Sequence, residues 1–351
     1  MNADPLKNFI GQEAIKKQLE PEIMVAKKCG RQLPHMIFHG PPGLGKDHMV
    51  HAIVKSLNAE DRYTEIFGTE AAKGRVNWSH IFAHIEPDLQ NLHQHGLNKD
   101  GYVIGPNPHR ILCINEAEIM PRSEWEKLHS ALQPCEDGRL ITPIIMPRTG
   151  EAALMWVAPF TLIVCTNYID ELLKNGRAAM HRCPLQFSFS LYTFEELANI
   201  VIRYSNSQKI PITKEAATNL AKRAKGNVRR LLQLWGSVDT ERILSDNNRE
   251  ITTEHVENKM NSMAIAEDGL DETDILYLST LAQHGKYSPV GEARLASILG
   301  LPRQHLKDNI EPWLFKQEYI TIHGGRLITT KGLHRLQATQ AHHMQLVTER
   351  N

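Results

Sequence analysis

The stretch Gly40-Pro41-Pro42-Gly43-Leu44-Gly45-Lys46-Asp47 constrains this chain more than any other. It follows the apolar run Met36-Ile37-Phe38 and leads into a helical pattern carrying Met49, Val50, Ile53, Val54 and Leu57. Strand, glycine-rich turn and helix form the setting in which a phosphate-binding loop works. Its glycines let backbone N–H groups turn inward around an anion, and the helix N-terminus adds the positive end of its dipole. Lys46 supplies a point charge for the β- and γ-phosphates of a nucleoside triphosphate. The next position ordinarily carries Ser or Thr, whose hydroxyl ligates Mg²⁺. Here it is Asp47.

A second stretch supports the first. Arg110 opens Ile111-Leu112-Cys113-Ile114-Asn115-Glu116-Ala117-Glu118, a continuous apolar run of the kind that forms a buried parallel strand and delivers acids to a catalytic edge. In phosphate-loop ATPases this strand ends in Asp-Glu: the Asp steadies the metal and the Glu orients the attacking water. Glu116 is present, but Asn115 stands in the Asp position. Tyr63–Phe67, Phe160–Cys165 and Leu185–Leu191 read as further strands, the second delivering Thr166-Asn167 and the third following Arg182-Cys183-Pro184. Phe9-Ile10-Gly11-Gln12 reads as a turn into a helix running towards Gly30, which Pro21 should kink or split. Ser123 is expected to cap a helix from Glu124 to Gln133.

Residues 86–110 are turn-rich and polar, the profile of a long surface loop. Its His93, His95 and His109 lack the Cys or paired carboxylates of a metal site and are expected to be solvated. Residues 139–158 alternate around Pro147-Arg148-Thr149-Gly150 as an apolar hairpin, packed into its own domain or docking a partner.

A chain of 351 residues is long for one core and suggests two or three domains. Lys plus Arg equals Asp plus Glu at 40 each, so nucleic acid must be met through local patches, not bulk charge. The five cysteines show no C-x-x-C spacing, which argues against a zinc site or a disulfide framework. No apolar run suits a membrane span, and Met1-Asn2-Ala3-Asp4 has no signal-peptide shape. A cytoplasmic setting is expected.

From about residue 192 to 262 the apolar spacing turns helical. Beyond Gly269, Asp274–Leu281, Glu292–Leu299 and Arg303–Gln317 read as three helices, the last two joined by Gly300-Leu301-Pro302 as in a helix-turn-helix. Tyr319–Ile322 and Arg326–Thr329 form a wing around Gly324-Gly325. Arg303, His323, Arg326 and Lys331 are placed to meet DNA phosphates or a groove, although winged helices also serve as protein-binding modules.

These segments fall in the order of the RuvB family of AAA+ ATPases, the Holliday-junction branch-migration motors, and the chain resembles that family from Phe9 to Lys331. The resemblance implies an α/β fold: an AAA+ P-loop NTPase core with a parallel sheet (1–190), a small helical lid (191–265), a C-terminal winged helix (266–340) and a tail (341–351). It implies ATP and Mg²⁺ as ligands. Phe9, Ile10, Gly40, Pro41, Pro42, Gly43, Leu44, Gly45, Lys46, Asp47 and His48 would contact the nucleotide, with Asp47 and Asn115 at the metal. Glu116 would be the catalytic glutamate and Asn167 the first sensor. Arg182 would be a finger reaching a neighbouring subunit's γ-phosphate, and Arg229, in Gly226-Asn227-Val228-Arg229-Arg230, the lid arginine acting in cis. A fixed fork of donors on an always-charged group suits both arginines. The partners implied are duplex or four-way-junction DNA, a RuvA-like protein on hairpin 139–158, and further copies of the chain in a ring, a hexamer. An ATP-binding but weakly hydrolysing switch or loader, and a clamp-loader-like ATPase, are the alternatives. Clamp loaders end in a helical collar, not a winged helix.

Two departures belong together. The family carries Thr after the lysine and Asp before the glutamate; here Asp47 and Asn115 look exchanged across the metal site. An added carboxylate ~4 Å from a phosphate would cost about 4 kcal/mol at an effective dielectric of 20, and removal of the one opposite lightens that load. A carboxylate is also a good hard ligand for Mg²⁺. Glu118 stands where the family usually has His, without an evident role in the sequence.

Overall fold

The computed structural model describes residues 4–78, 81–82, 109–132, 140–145, 152–157, 159–245, 249–284 and 288–348. The chain packs as two compact units, Met1–Ser190 and Leu191–Asn351. Among the described residues of the first unit seven strands follow in chain order: β1 (Met36–His39), β2 (Tyr63–Phe67), β3 (Ile111–Asn115), β4 (Leu140–Ile145), β5 (Ala152–Val157), β6 (Thr161–Thr166) and β7 (Leu185–Ser188). Five of them form a parallel sheet in the order β2-β3-β6-β1-β7. Every residue of β3 and β6 is buried, as expected of strands covered on both faces, and this is why they read as unbroken apolar runs. Leu112, Ile114, Leu162 and Val164 pack with Phe82, Trp125 and Phe160. Because all five strands run the same way, their C-terminal ends share one edge, and each feeds a loop there.

Helix Glu13–Cys29 precedes β1 and runs unbroken through Pro21. The expected split is therefore corrected. Pro21 is exposed, so its missing N–H costs one bond on the solvent side. Ile15, Leu19, Ile23 and Ala26 bury a continuous face across it. The helix expected from Glu124 begins two residues earlier, as Arg122–Leu132, so Ser123 lies inside it and is not its cap. β4 and β5 pair antiparallel from Leu140↔Val157 to Ile145↔Ala152. The hairpin's turn lies outside the described residues, as do His93, His95 and all of the 86–110 loop except His109 and Arg110. His109 is buried, not solvated as expected. Burial, followed by repulsion from Lys27, holds its ring below the ordinary imidazole range.

The second unit begins with helices Phe194–Ser207, Lys214–Arg223, Val228–Leu244 and Thr253–Ser262. Thr193, Thr213 and Asn227 cap the first three with side-chain oxygens on backbone N–H groups. Helices Glu272–His284 and Glu292–Leu299 follow, and then a helix in three segments, Arg303–His305, Leu306–Ile310 and Glu311–Lys316. The middle segment is a π-helix. Pro312 has no N–H to return to the preceding turn, and the wider winding accommodates that loss. β8 (Ile320–Ile322) and β9 (Arg326–Ile328) form the wing, before helix Thr330–Thr348.

Buried charges tie the helical segment to the winged helix within this unit. Lys225 donates to Asp271 Oδ2 at 3.0 Å and to Asp274, and Arg230 pairs with Asp271 at 3.2 Å. Arg335 grips Asp268 at 2.6 and 3.0 Å. Burial pushes the Asp274 carboxyl up to about 6 despite Lys225. Burial also opposes the charge of Asp271, but Lys225 and Arg230 prevail and bring it to about 2.

Candidate functional site

The edge at the C-terminal ends of the parallel strands gathers the residues that the sequence singles out. After β1, the loop turns through Gly40 (φ 140°), Gly43 (φ 79°) and Gly45 (φ 83°), conformations that an L side chain resists. A Cβ on Gly40 would lie 2.7 Å from the carbonyl oxygen of Phe189, so the loop also needs glycine for close approach to the strand end beside it. Helix Lys46–Ser56 starts from Gly45. Lys46 Nζ donates to the carbonyls of Gly40 (2.8 Å) and Pro41 (3.0 Å) and to Asn167 Oδ1 (2.9 Å). The loop lysine and the expected sensor, far apart in the chain, are thus in direct contact. Burial, helped by the charge of Lys46, holds His39 below its ordinary range.

Glu118 acquires a role here that the sequence does not suggest. It sits in the short helical turn Ala117–Ile119 and is only 7% exposed. Thr166 Oγ1 donates to its Oε2 at 2.7 Å, and the backbone N–H of Asn167 donates to Oε1 at 3.3 Å. One buried carboxylate therefore holds the end of β6 that carries Asn167, the expected sensor. Between it and β3, Glu116 adopts φ 50° and stands exposed. Its turn lies against Gly68, where a Cβ would come within 2.2 Å of the Glu116 carbonyl oxygen.

On the metal side, Asp47 occupies the first turn of its helix and is exposed. Asn115 is 5% exposed, and its Nδ2 donates to Glu65 on β2. Cys113, two residues back on β3, hydrogen-bonds to Cys165. That bond and burial raise its thiol well above the usual range, and the charges of Glu65 and Asp47 add to the shift. Both carboxylates therefore bear on the end of β3. Among the described residues no group of three or more His, Cys, Asp or Glu forms a self-sufficient metal cage. Hard oxygens from Asp47 and Asn115 beside a phosphate loop fit Mg²⁺, which is held by one or two side chains together with substrate phosphates.

Phe9 and His48 are brought together, with ring centroids 5.9 Å apart. Lys16 Nζ donates to the Phe9 carbonyl at 2.7 Å, and Gln12 bonds both ways with Ser190, which pins the turn that carries half-buried Ile10. Arg182 is exposed just before β7 and its guanidinium takes no partner among the described residues. Arg229 is exposed in the first turn of Val228–Leu244.

In the winged helix, Arg303 opens the three-segment helix and is exposed, as is His323 at the wing tip. Lys331 lies over the Tyr319 ring at 5.8 Å and pairs at the surface with Glu318. Arg326 does not face outward, and its expected role is corrected. It is 9% exposed and gives Nε and Nη2 to Glu311 at 2.9 and 3.0 Å, with Nη2 also 3.1 Å from Glu292. Its fork is already occupied inside the domain.

Comparison with known proteins bears on the whole chain. The family model described as the Holliday junction DNA helicase RuvB P-loop domain matches residues 1–74, and that of the RuvB C-terminal winged helix domain matches residues 267–337. The RuvB subunit of the Holliday junction branch migration complex from Helicobacter acinonychis is 30% identical over 332 residues, 94% of this chain and 89% of that protein. The chain belongs to the RuvB family. The corresponding subunit from Fervidobacterium nodosum is likewise 30% identical, over 93% of this chain and 85% of its own length. The solved structure of the Thermotoga maritima RuvB branch migration motor superposes with a TM-score of 0.72 at 26% identity, covering 95% of this chain and 97% of that one. The α/β core and the winged helix are thus RuvB domains, and a collar-ended clamp loader is not the relevant template. The departures noted in the sequence, Asp47, Asn115 and Glu118, lie around one strand edge, where Glu65 also meets Asn115.

Proposed function

We propose that this chain is an ATP-driven DNA motor of the RuvB type that works as a ring on duplex or four-way-junction DNA. The observation carrying this reading is the strand edge where Lys46 meets Asn167 beside Glu116 and Asn115, in a chain that ends in a RuvB winged helix. In this reading the loop N–H groups and Lys46 bind the β- and γ-phosphates. Glu116 accepts a hydrogen bond from the attacking water, and Asn167 orients that water from the other side. The water oxygen bonds to the γ-phosphorus as the bond to the ADP oxygen breaks. Arg182, supplied by a neighbouring copy, and Arg229, from the lid of the same copy, meet the charge that develops. Asp47 and Asn115 would hold Mg²⁺, which would supply positive charge against the phosphates. Hairpin 139–158 docks a RuvA-like partner, and six copies complete the ring. Arg303, His323 and Lys331 contact DNA.

A second reading, a nucleotide-binding switch that hydrolyses slowly, is favoured by one observation: the metal edge carries an amide where the family's carboxylate stands. Branch migration of a synthetic four-way junction, with ATP and with or without a RuvA-type protein, separates the two. The motor reading expects ATP-dependent strand exchange stimulated by the partner. Exchange absent despite measured nucleotide uptake favours the switch, and no uptake at millimolar ATP overturns both.

A further inference from the structure

Asn115 replaces a charged metal-side residue with an amide whose two ends differ, so its orientation decides whether it can serve a cation. The neighbouring strand settles that orientation. β2 and β3 pair in parallel with Glu65 opposite Cys113, and from there the Glu65 carboxylate reaches the Asn115 amide. A carboxylate only accepts, so the amide end facing it is Nδ2. Oδ1 is then the end left for another donor or a cation; among the described residues it accepts only the weak thiol of Cys113, at 3.5 Å. Glu65 is half-buried, and its carboxylate sets a negative charge against an amide that carries none.

We propose that Glu65 is a positioning residue of the metal edge, fixing the Asn115 amide with its oxygen available to Mg²⁺ or a magnesium-bound water and returning to β3 the negative charge that Asn115 lacks. The simple exchange of Asp47 and Asn115 is then incomplete as a description, because a third side chain takes part. This proposal rests on the nucleotide-binding reading above. It explains why an aspartate at position 115 would be unwelcome in this chain: it would set a second carboxylate against Glu65.

The test is Mg²⁺-dependent binding of a fluorescent ADP analogue (mant-ADP) to the full-length chain, in EDTA and across a Mg²⁺ titration, with circular-dichroism melts of each variant. Glu65→Gln is expected to raise the half-saturating Mg²⁺ concentration about tenfold, the effect of replacing a charge-assisted hydrogen bond with a neutral one, and to leave binding in EDTA unchanged. Asn115→Asp alone should lose the Mg²⁺ response, and Asn115→Asp/Glu65→Gln should regain it. An unchanged Mg²⁺ half-saturation in Glu65→Gln overturns the proposal, as does an Asn115→Asp that behaves equally well with Glu65 present. If Asn115→Asp fails to fold, the Glu65→Gln titration decides. Parent binding that Mg²⁺ does not improve overturns the role of Glu65 alone, whereas a parent that takes up no nucleotide in either buffer overturns the nucleotide reading with it.

Discussion

Arg326→Met separates a DNA-contacting arginine from a structural one. The guanidinium makes two bonds to Glu311, at 2.9 and 3.0 Å, and one to Glu292 at 3.1 Å. Glu311 is 5% exposed, and its remaining donor is the Tyr277 hydroxyl at 3.1 Å. Methionine would keep the volume but leave the Glu311 charge buried with one neutral partner, a loss of about 3–5 kcal/mol. Glu292 adds less, being 22% exposed and also paired with Lys307 at 3.2 Å. For a unit of this size, at roughly 2–4 °C per kcal/mol, the Leu191–Asn351 transition should fall by about 6–20 °C. Hydrogen exchange at the amides of β9 and of helix Glu311–Lys316 follows the loss locally. Arg326→Met/Glu311→Leu should recover most of it, because replacing a buried pair with apolar groups is close to neutral. A single variant that melts like the parent, while DNA affinity drops and its salt dependence falls by about one counterion, would refute the structural assignment.

Acid should act on the two units in opposite senses. Burial holds His35, which accepts from the Leu162 N–H, down at about 4, so its stabilising contribution is complete above 6.5 and is lost as pH falls through about 4. Asp274 is raised from 3.8 to about 6, so its contribution is present below 3.8 and is lost as pH rises through about 6. Each shift corresponds to about 3 kcal/mol. Unit-resolved hydrogen exchange between pH 4 and 6.5 should show the first unit weakening on acidification and the second strengthening, the latter trend flattening in Asp274→Asn. Glu118→Leu should cost about 2–4 kcal/mol through the stranded Thr166 hydroxyl and Asn167 N–H. It should also lower kcat more than it raises KM for ATP, whereas Glu118→Gln, which keeps an acceptor for Thr166, should retain most of both; steady-state ATPase and chemical denaturation measure the two. Arg303→Ala and Lys331→Ala should each weaken junction binding across sequences and reduce the slope of log K against log salt by about 0.9 if each meets one phosphate, without moving the melting temperature. Fluorescence anisotropy at several salt concentrations tests this.

The parallel core was legible because each of its signals is local. A glycine loop between strand and helix, or an apolar run ending in Asn-Glu, is complete within a few residues, and β3 and β6 appear where those runs stand. What escaped depends on strand register and long-range pairing. The acids that take Arg326 inward lie 15 and 34 residues upstream, in Glu311–Lys316 and at the start of Glu292–Leu299, so in the sequence Arg326 looks like any wing arginine. Glu65 sits in an unremarkable run, and only the parallel pairing of β2 with β3 brings it to Asn115. Glu118 shows no partner until β6 is placed beside β3, which brings Thr166 over it. Pro21 misled for the opposite reason: a reliable local rule gave way to a buried face continuous on both sides of the proline.

The same register constrains how nucleotide could act on this edge. Lys46 cannot direct its amine fully at phosphates while it donates to the Gly40 and Pro41 carbonyls and to Asn167 Oδ1. An ammonium has three donors, so a triphosphate that takes the lysine displaces at least one of these acceptors, of which Asn167 Oδ1 alone is a side-chain atom. The backbone of Asn167 stays fixed meanwhile, because its N–H and the neighbouring Thr166 hydroxyl are both held by Glu118. Glu118 in turn belongs to the turn that directly follows Glu116. An Asn167 amide that turns away swings from a backbone tied to the segment that carries Glu116, the glutamate proposed above to orient the water. Loosening that tie would blur the geometry of the hydrolytic water without touching any phosphate ligand. That is why the Glu118 variants are expected to separate turnover from nucleotide affinity, and why the Asp47 and Asn115 departures alone do not decide whether this edge can hydrolyse ATP.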